Sequence, residues 1–173
     1  MATNNRLIWK TLGIGAVAAM SGAIGLVLVE PGLAQSGFST VKKLDGSWSG
    51  GGTVKPLSGG SEHINCKVKY NVKVSNFTQQ IDCSGPKTKF DIDGDLNLQG
   101  TNIEGKWTDT VRGYTGGASG SVEAGKINMR IEGPDFTGRM DIAVSGNSQT
   151  VSVTQYDVKS KGYKHVADIK LHR

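Results

Sequence analysis

Hydrophobic and polar residues alternate most regularly between Ile64 and Cys83. From Ile64 to Val74 the even positions are Ile64, Cys66, Val68, Tyr70, Val72 and Val74, and the odd positions between them are Asn65, Lys67, Lys69, Asn71 and Lys73. A period of two held this long predicts a strand with one buried and one wet face. After Ser75 and Asn76, a second run puts Phe77, Gln79, Ile81 and Cys83 on one face and Thr78, Gln80 and Asp82 on the other. The two runs predict a β-hairpin. A register whose partner numbers sum to 149 sets Cys66 opposite Cys83, Val68 opposite Ile81 and Val72 opposite Phe77. Both cysteines then point to the same interior, which favours a cross-strand disulfide.

The same alternation recurs along the chain. Trp48, Gly50, Gly52 and Val54 share a face before the turn at Pro56 to Ser61; Phe90, Ile92, Gly94, Leu96 and Leu98 share one after the turn at Ser84-Gly85-Pro86. Ile103, Gly105, Trp107 and Val111 line a further strand, with Asp109 on its apolar side as either a bulge or a functional inward carboxylate. Tyr114, Gly116, Ala118, Gly120 and Val122 mark the next, then Ile127, Met129 and Ile131, then Phe136, Gly138, Met140, Ile142 and Val144. Val151 with Val153, and Ala167, Ile169 and Leu171 after a loop at Asp157 to Gly162, end the series. The pattern predicts an all-β fold, an antiparallel up-and-down meander of about 8–10 strands. Closing it as a barrel removes the exposed edges; a two-sheet β-sandwich satisfies the same periodicity.

The N-terminus carries a different signal. Arg6 and Lys10 precede an uncharged stretch, Leu12 to Val29, and Gly32-Leu33-Ala34 supplies small residues for cleavage. Residues 1–34 therefore predict a secretory signal peptide, residues 35–44 a flexible lead-in without a clear period, and residues 45–173 a single β domain. The apolar stretch is also long enough for an uncleaved anchor, a reading its glycines and Pro31 disfavour. Periplasmic or secreted localisation follows, and with it one disulfide in an oxidising compartment. The whole chain carries 20 Lys and Arg against 15 Asp and Glu, a modest and dispersed excess.

Gly46-Ser47-Trp48 and Gly105-Lys106-Trp107 match the Gly-x-Trp element that opens the barrels of lipocalins and avidins. The chain thus resembles the calycin-type superfamily, and the resemblance implies that Trp48 packs across one end of the interior. It is also similar to the periplasmic metalloprotease-inhibitor family, small exported barrels with one disulfide and a Gly-x-Trp start.

Candidate chemistry is sparse. Gly100 to Lys106 matches seven positions of a phosphate loop, but Trp107 replaces the required Ser or Thr and sits in a strand. Asp91, Asp93 and Asp95 alternate on a polar face, and Leu96 and Asn102 occupy the Gly and Glu positions of a calcium loop; cross-strand lysines are expected to neutralise them. His63, His165 and His172 lack metal-ligand spacing, no nucleophile elbow is present, and Cys66 is taken by the disulfide. The expectation is a non-enzyme with no cofactor and no metal. Lys67, Lys69, Lys73, Lys87 and Lys89 suggest an outward basic patch for an anionic membrane surface, without the interleaved aromatics that nucleic acid would require. The small residues on the inward face leave room for an apolar or amphipathic ligand, such as an envelope lipid, lined by Trp48, Tyr70, Trp107 and Tyr114. A protein-interaction module of the envelope, acting through its surface and the lead-in, is the alternative.

Overall fold

The computed structural model describes residues 32–134 and 136–173. Most of the expected signal segment therefore lies outside the described residues. A helix, α1 (Gly32–Lys42), precedes ten strands: β1 (Gly46–Val54), β2 (Glu62–Val72), β3 (Asn76–Ser84), β4 (Lys89–Gln99), β5 (Asn102–Asp109), β6 (Tyr114–Glu123), β7 (Lys126–Gly133), β8 (Phe136–Ser145), β9 (Ser148–Asp157) and β10 (Gly162–His172). Each strand pairs antiparallel with the next, and β10 returns to β1, so the meander closes as a barrel rather than splitting into a sandwich.

The register of the central hairpin follows from its hydrophobic pattern, because a slip of one residue would turn every apolar side chain outward. Cys66 pairs with Cys83, Val68 with Ile81 and Val72 with Phe77. The cysteines form a disulfide with Cα atoms 4.1 Å apart, closing a loop with a sequence separation of 17. By loop entropy such a bridge stabilises by about 3 kcal/mol. The alternation reaches Val74 in the sequence, but the ladder ends at Val72: the Lys73 N–H bonds to the Asn76 carbonyl at 2.8 Å, and Val74 is left at the turn tip, 81% exposed.

The up-and-down order sends the connections to two ends. At one end lie the turns at 73–75, 100–101, 124–125 and 146–147, and here the expected flexible lead-in is instead a helix that closes the barrel. Val41 is buried in the core with Phe38, on the same helical face, packed against it, and Leu44 is buried in the turn just after the helix, its N–H bonding to the Val41 carbonyl at 2.9 Å. The Thr40 hydroxyl donates to the Glu123 carbonyl and accepts from the Gly125 N–H, both at 3.0 Å, fastening α1 to the turn between β6 and β7. Asp45 then accepts from the Val72 N–H at 3.0 Å, which ties the helix exit to the end of β2.

Closure between β1 and β10 depends on Gly50 and Gly52. A Cβ on either would collide with the carbonyl of Lys170 or Asp168, so only glycine lets the last strand lie this close to the first. A bulge in β10 between His165 and Ala167 turns both Val166 and Ala167 into the interior. The opposite end carries the longer loops 55–61, 85–88, 110–113 and 158–161 together with the short β7–β8 connection, and no helix among the described residues covers it.

Candidate functional site

The inward faces of the strands enclose a cavity of about 470 Å³. Its walls are apolar: the Cys66–Cys83 disulfide, Phe90, Ile131 and Met140 contribute alongside aliphatic residues from most strands. That volume falls within the roughly 300–1,000 Å³ of small-molecule sites.

Four aromatic residues were expected there, and the structure places them at different depths. Tyr70, Trp107 and Tyr114 line the cavity. Trp48 does not: it is packed with Leu44 at the closed end, its indole N–H donating to the Leu44 carbonyl at 2.7 Å and its ring covered by the Arg173 guanidinium at 4.7 Å. Inward parity fixes the face of a strand residue but not its depth along the barrel, and Trp48 lies too near the α1 end to reach the open space. It does pack across one end of the interior, the placement that the calycin resemblance implied.

Tyr70 is fully enclosed, and its hydroxyl accepts a hydrogen bond from Gln149 Nε2 at 2.8 Å. Burial raises its pKa to about 12, with the Gln149 bond opposing, so the phenol stays neutral. Gln149 Oε1 has no hydrogen-bond partner among the described residues. Trp107 forms part of the wall nearer the open end. The pairing of β6 with β7 starts only at Gly117–Glu132, and the indole N–H bridges that pair, 3.2 Å from each carbonyl oxygen. Its ring occupies the space next to Gly116 and Gly133, where a Cβ would lie 2.6 Å from it.

At the mouth, Asp109 faces inward in an unbroken register, opposite Ile92 and Tyr114, so no bulge is present. Its Oδ1 accepts from the backbone N–H groups of Val111 and Arg112, each at 3.0 Å, and its Oδ2 from the Arg112 guanidinium at 2.6 Å. Burial pushes its pKa up, but the backbone and side-chain bonds from Arg112, that residue's charge and the Val111 N–H outweigh it and hold the carboxyl below its usual value. Both oxygens are thus committed to shaping the turn and anchoring Arg112, which lines the mouth beside Tyr114 and Gln155. Arg112 lies in a turn, where periodicity carries no information; the alternation had been carried on to Val111, but β5 ends at Asp109 and Val111 stands exposed in that turn. Phe90, Ile131 and Met140 did lie on the inward faces read from the sequence, without any sign that they bordered open space.

The outward charges are mixed rather than segregated. Lys67 stands opposite Asp82 and Asp95 opposite Lys106, but Asp91 faces Asp82 and Asp93 faces Gln80 and Thr108, so the cross-strand lysines expected to neutralise that face directly oppose only Asp95. The five lysines read as one basic patch are split: Lys73 is in a closed-end turn, Lys87 in an open-end loop, and the strands between carry Asp82, Asp91 and Asp93 on the same face.

No family model matches the sequence, and no curated protein is similar to it. Among solved structures, the chain is similar to Rv2717c from M. tuberculosis, with a TM-score of 0.65 and 15% identity over 79% of this chain and 96% of that one. It is also similar to the S-type phycobiliprotein lyase CPES from Guillardia theta, with a TM-score of 0.57 and 11% identity over 78% of this chain and 90% of that one. At these identities the likeness is one of fold. The ten-stranded antiparallel barrel is consistent with the calycin-like shape that the Gly-x-Trp elements suggested.

Proposed function

We propose that this protein is a non-enzymatic barrel that binds a small apolar or amphipathic molecule, such as a lipid of the cell envelope, in its interior. The observation that carries the reading is the cavity of about 470 Å³, walled almost wholly by apolar side chains and opening at the end that α1 does not cover. An apolar surface turned to an enclosed space gains free energy when an apolar solute replaces water there, in proportion to the area covered. Tyr70 at depth and Arg112 and Tyr114 at the mouth supply the few polar groups that would orient such a guest. The fold of two structural neighbours, one of them a phycobiliprotein lyase, is compatible with ligand binding and names no ligand for this chain. Export to an oxidising compartment is supported by the Cys66–Cys83 disulfide.

The test is titration with the neutral apolar dye Nile red. Saturable uptake near one dye per chain is expected, with affinity lowered about tenfold by Met140→Trp, which fills the cavity, and unchanged by Val74→Trp at the outer turn tip. No saturable uptake, or equal affinity in both variants, would sink the reading. The alternative, a protein-interaction module acting through residues 35–44, now has Phe38, Val41 and Leu44 of that segment turned into the barrel rather than toward a partner.

A further inference from the structure

The open end of the barrel combines two features that a solvated rim does not need. Among the described residues, Val158 is 77% and Val111 51% exposed, and Leu57 is also exposed; they sit on three separate loops, 158–161, 110–113 and 55–61. Tyr114, at the start of β6, adds an exposed ring beside the mouth. Exposed apolar side chains gathered at one end of a molecule, and not required by packing, mark a contact surface.

Among the described residues, the loops at that same end carry Lys55, Lys87, Arg112, Lys159 and Lys161 and no Asp or Glu; Asp135 lies outside the described residues. On the adjoining strand ends Asp109 pairs with Arg112 and Asp157 with Lys164, each at 2.6 Å, while Glu62 accepts from the Lys87 N–H at 2.9 Å and from the Thr88 hydroxyl and keeps its own charge; Lys55, Lys87, Lys159 and Lys161 still outnumber it. At the closed end, Val74 is the one large apolar side chain among the described residues that stands exposed.

We infer that the barrel docks mouth-first on an anionic lipid bilayer. Apolar tips spread around a ring, with long basic side chains between them, complement a planar surface that is negatively charged outside and apolar just beneath. Val111, Val158 and Leu57 enter the headgroup boundary while the lysines meet lipid phosphates; the two contributions add, as they do for interfacial helices and polybasic segments. The cavity then opens toward the membrane rather than toward water. This deepens the ligand-binding reading, on which it rests, by placing the source of the guest in the bilayer itself.

Both natural cysteines are in the disulfide, so a cysteine introduced at Val158 can be labelled alone with the environment-sensitive fluorophore NBD. Vesicles of equal parts phosphatidylcholine and phosphatidylglycerol should raise and blue-shift the emission of Val158→Cys several-fold, vesicles of phosphatidylcholine alone should not, and Val74→Cys at the other end should respond to neither. Reversing charge at Lys87, Lys159 and Lys161 to Glu should weaken association with anionic vesicles about tenfold or more, and the same reversal at Lys67, Lys69 and Lys170 on the outer wall should leave it within about twofold. Val158→Asp gives a single-site check. Equal responses at 158 and 74, no response at 158, or equal loss from the rim and wall triples would overturn the inference. A label at 158 that stays unresponsive while Nile red still binds would refute docking and leave the cavity reading standing; the reverse result would do the opposite.

Discussion

The hydroxyl of Tyr70 accepts a hydrogen bond from the Gln149 amide at 2.8 Å, joining β2 to β9 through the interior near the closed end. The two positions are 79 residues apart in sequence, and both side chains are almost wholly buried. The low dielectric makes the bond strong and makes either group costly to leave alone.

Removing both partners should therefore cost less than the two single removals added together. Tyr70→Phe strands the Gln149 amide, and Gln149→Leu strands the Tyr70 hydroxyl; each is expected to lower stability by about 1–3 kcal/mol. Gln149→Leu should be the milder, because it also removes an oxygen that has no partner among the described residues. The double variant should cost less than the sum of the two, by about 1 kcal/mol in a double-mutant cycle read from urea unfolding. Strict additivity would show that the bond does not couple the two strands.

Gly116 is expected to be intolerant of a side chain because Trp107 uses its space. A Cβ there would lie 2.6 Å from the indole and against the Glu132 carbonyl, whereas a Cβ on the neighbouring Gly117 meets nothing within 4 Å. Gly116→Ala should cost about 1–3 kcal/mol, as overpacking does. It should also displace the indole from its two carbonyl acceptors and shift tryptophan emission to the red. Gly117→Ala is the control and should change neither quantity appreciably.

That site shows where reading the sequence succeeds and where it stops. The barrel was legible because parity along a strand is a local property: Cys66, Val68 and Val72 must face Cys83, Ile81 and Phe77 if all are to be buried, and they do. Depth along the barrel axis and the use made of space are not local. Gly116 lay on an apolar face whether it left room for a guest or for Trp107, and only the packed structure distinguishes the two. Trp48 had the correct face and the wrong depth for the cavity. The segment now in α1, GLAQSGFSTVK, has weak helix formers and a sparse apolar stripe. Its helix is fixed by Val41, Leu44 and Thr40 docking onto the barrel, contacts that exist only once the barrel does.

Acid should loosen the β9–β10 connection first through Asp157. Its carboxylate accepts from Lys164 at 2.6 Å, from the Ser160 hydroxyl at 2.8 Å and from the Lys159 N–H at 3.0 Å. The Lys164 bond and then the Ser160 bond are the main reasons that its pKa falls from 3.8 to about 2, with burial opposing them. A carboxyl with a lower pKa in the folded state binds fewer protons there than when unfolded. Its contribution to stability is therefore fully present above pH 3.8 and is lost as pH falls toward 2. Urea midpoints should hold steady down to about pH 4.5 and then decline through this window. Asp157→Asn removes the charge at every pH, so the variant should be less stable at neutral pH, decline less steeply in acid and approach the wild type near pH 2. Some decline must persist in the variant, because Asp45, Glu62 and Asp109 also have lowered pKa values and protonate in the same range. Parallel curves for the two proteins would mean that the loop does not draw its stability from this carboxylate, and would reassign the acid sensitivity to Asp45, Glu62 and Asp109 together.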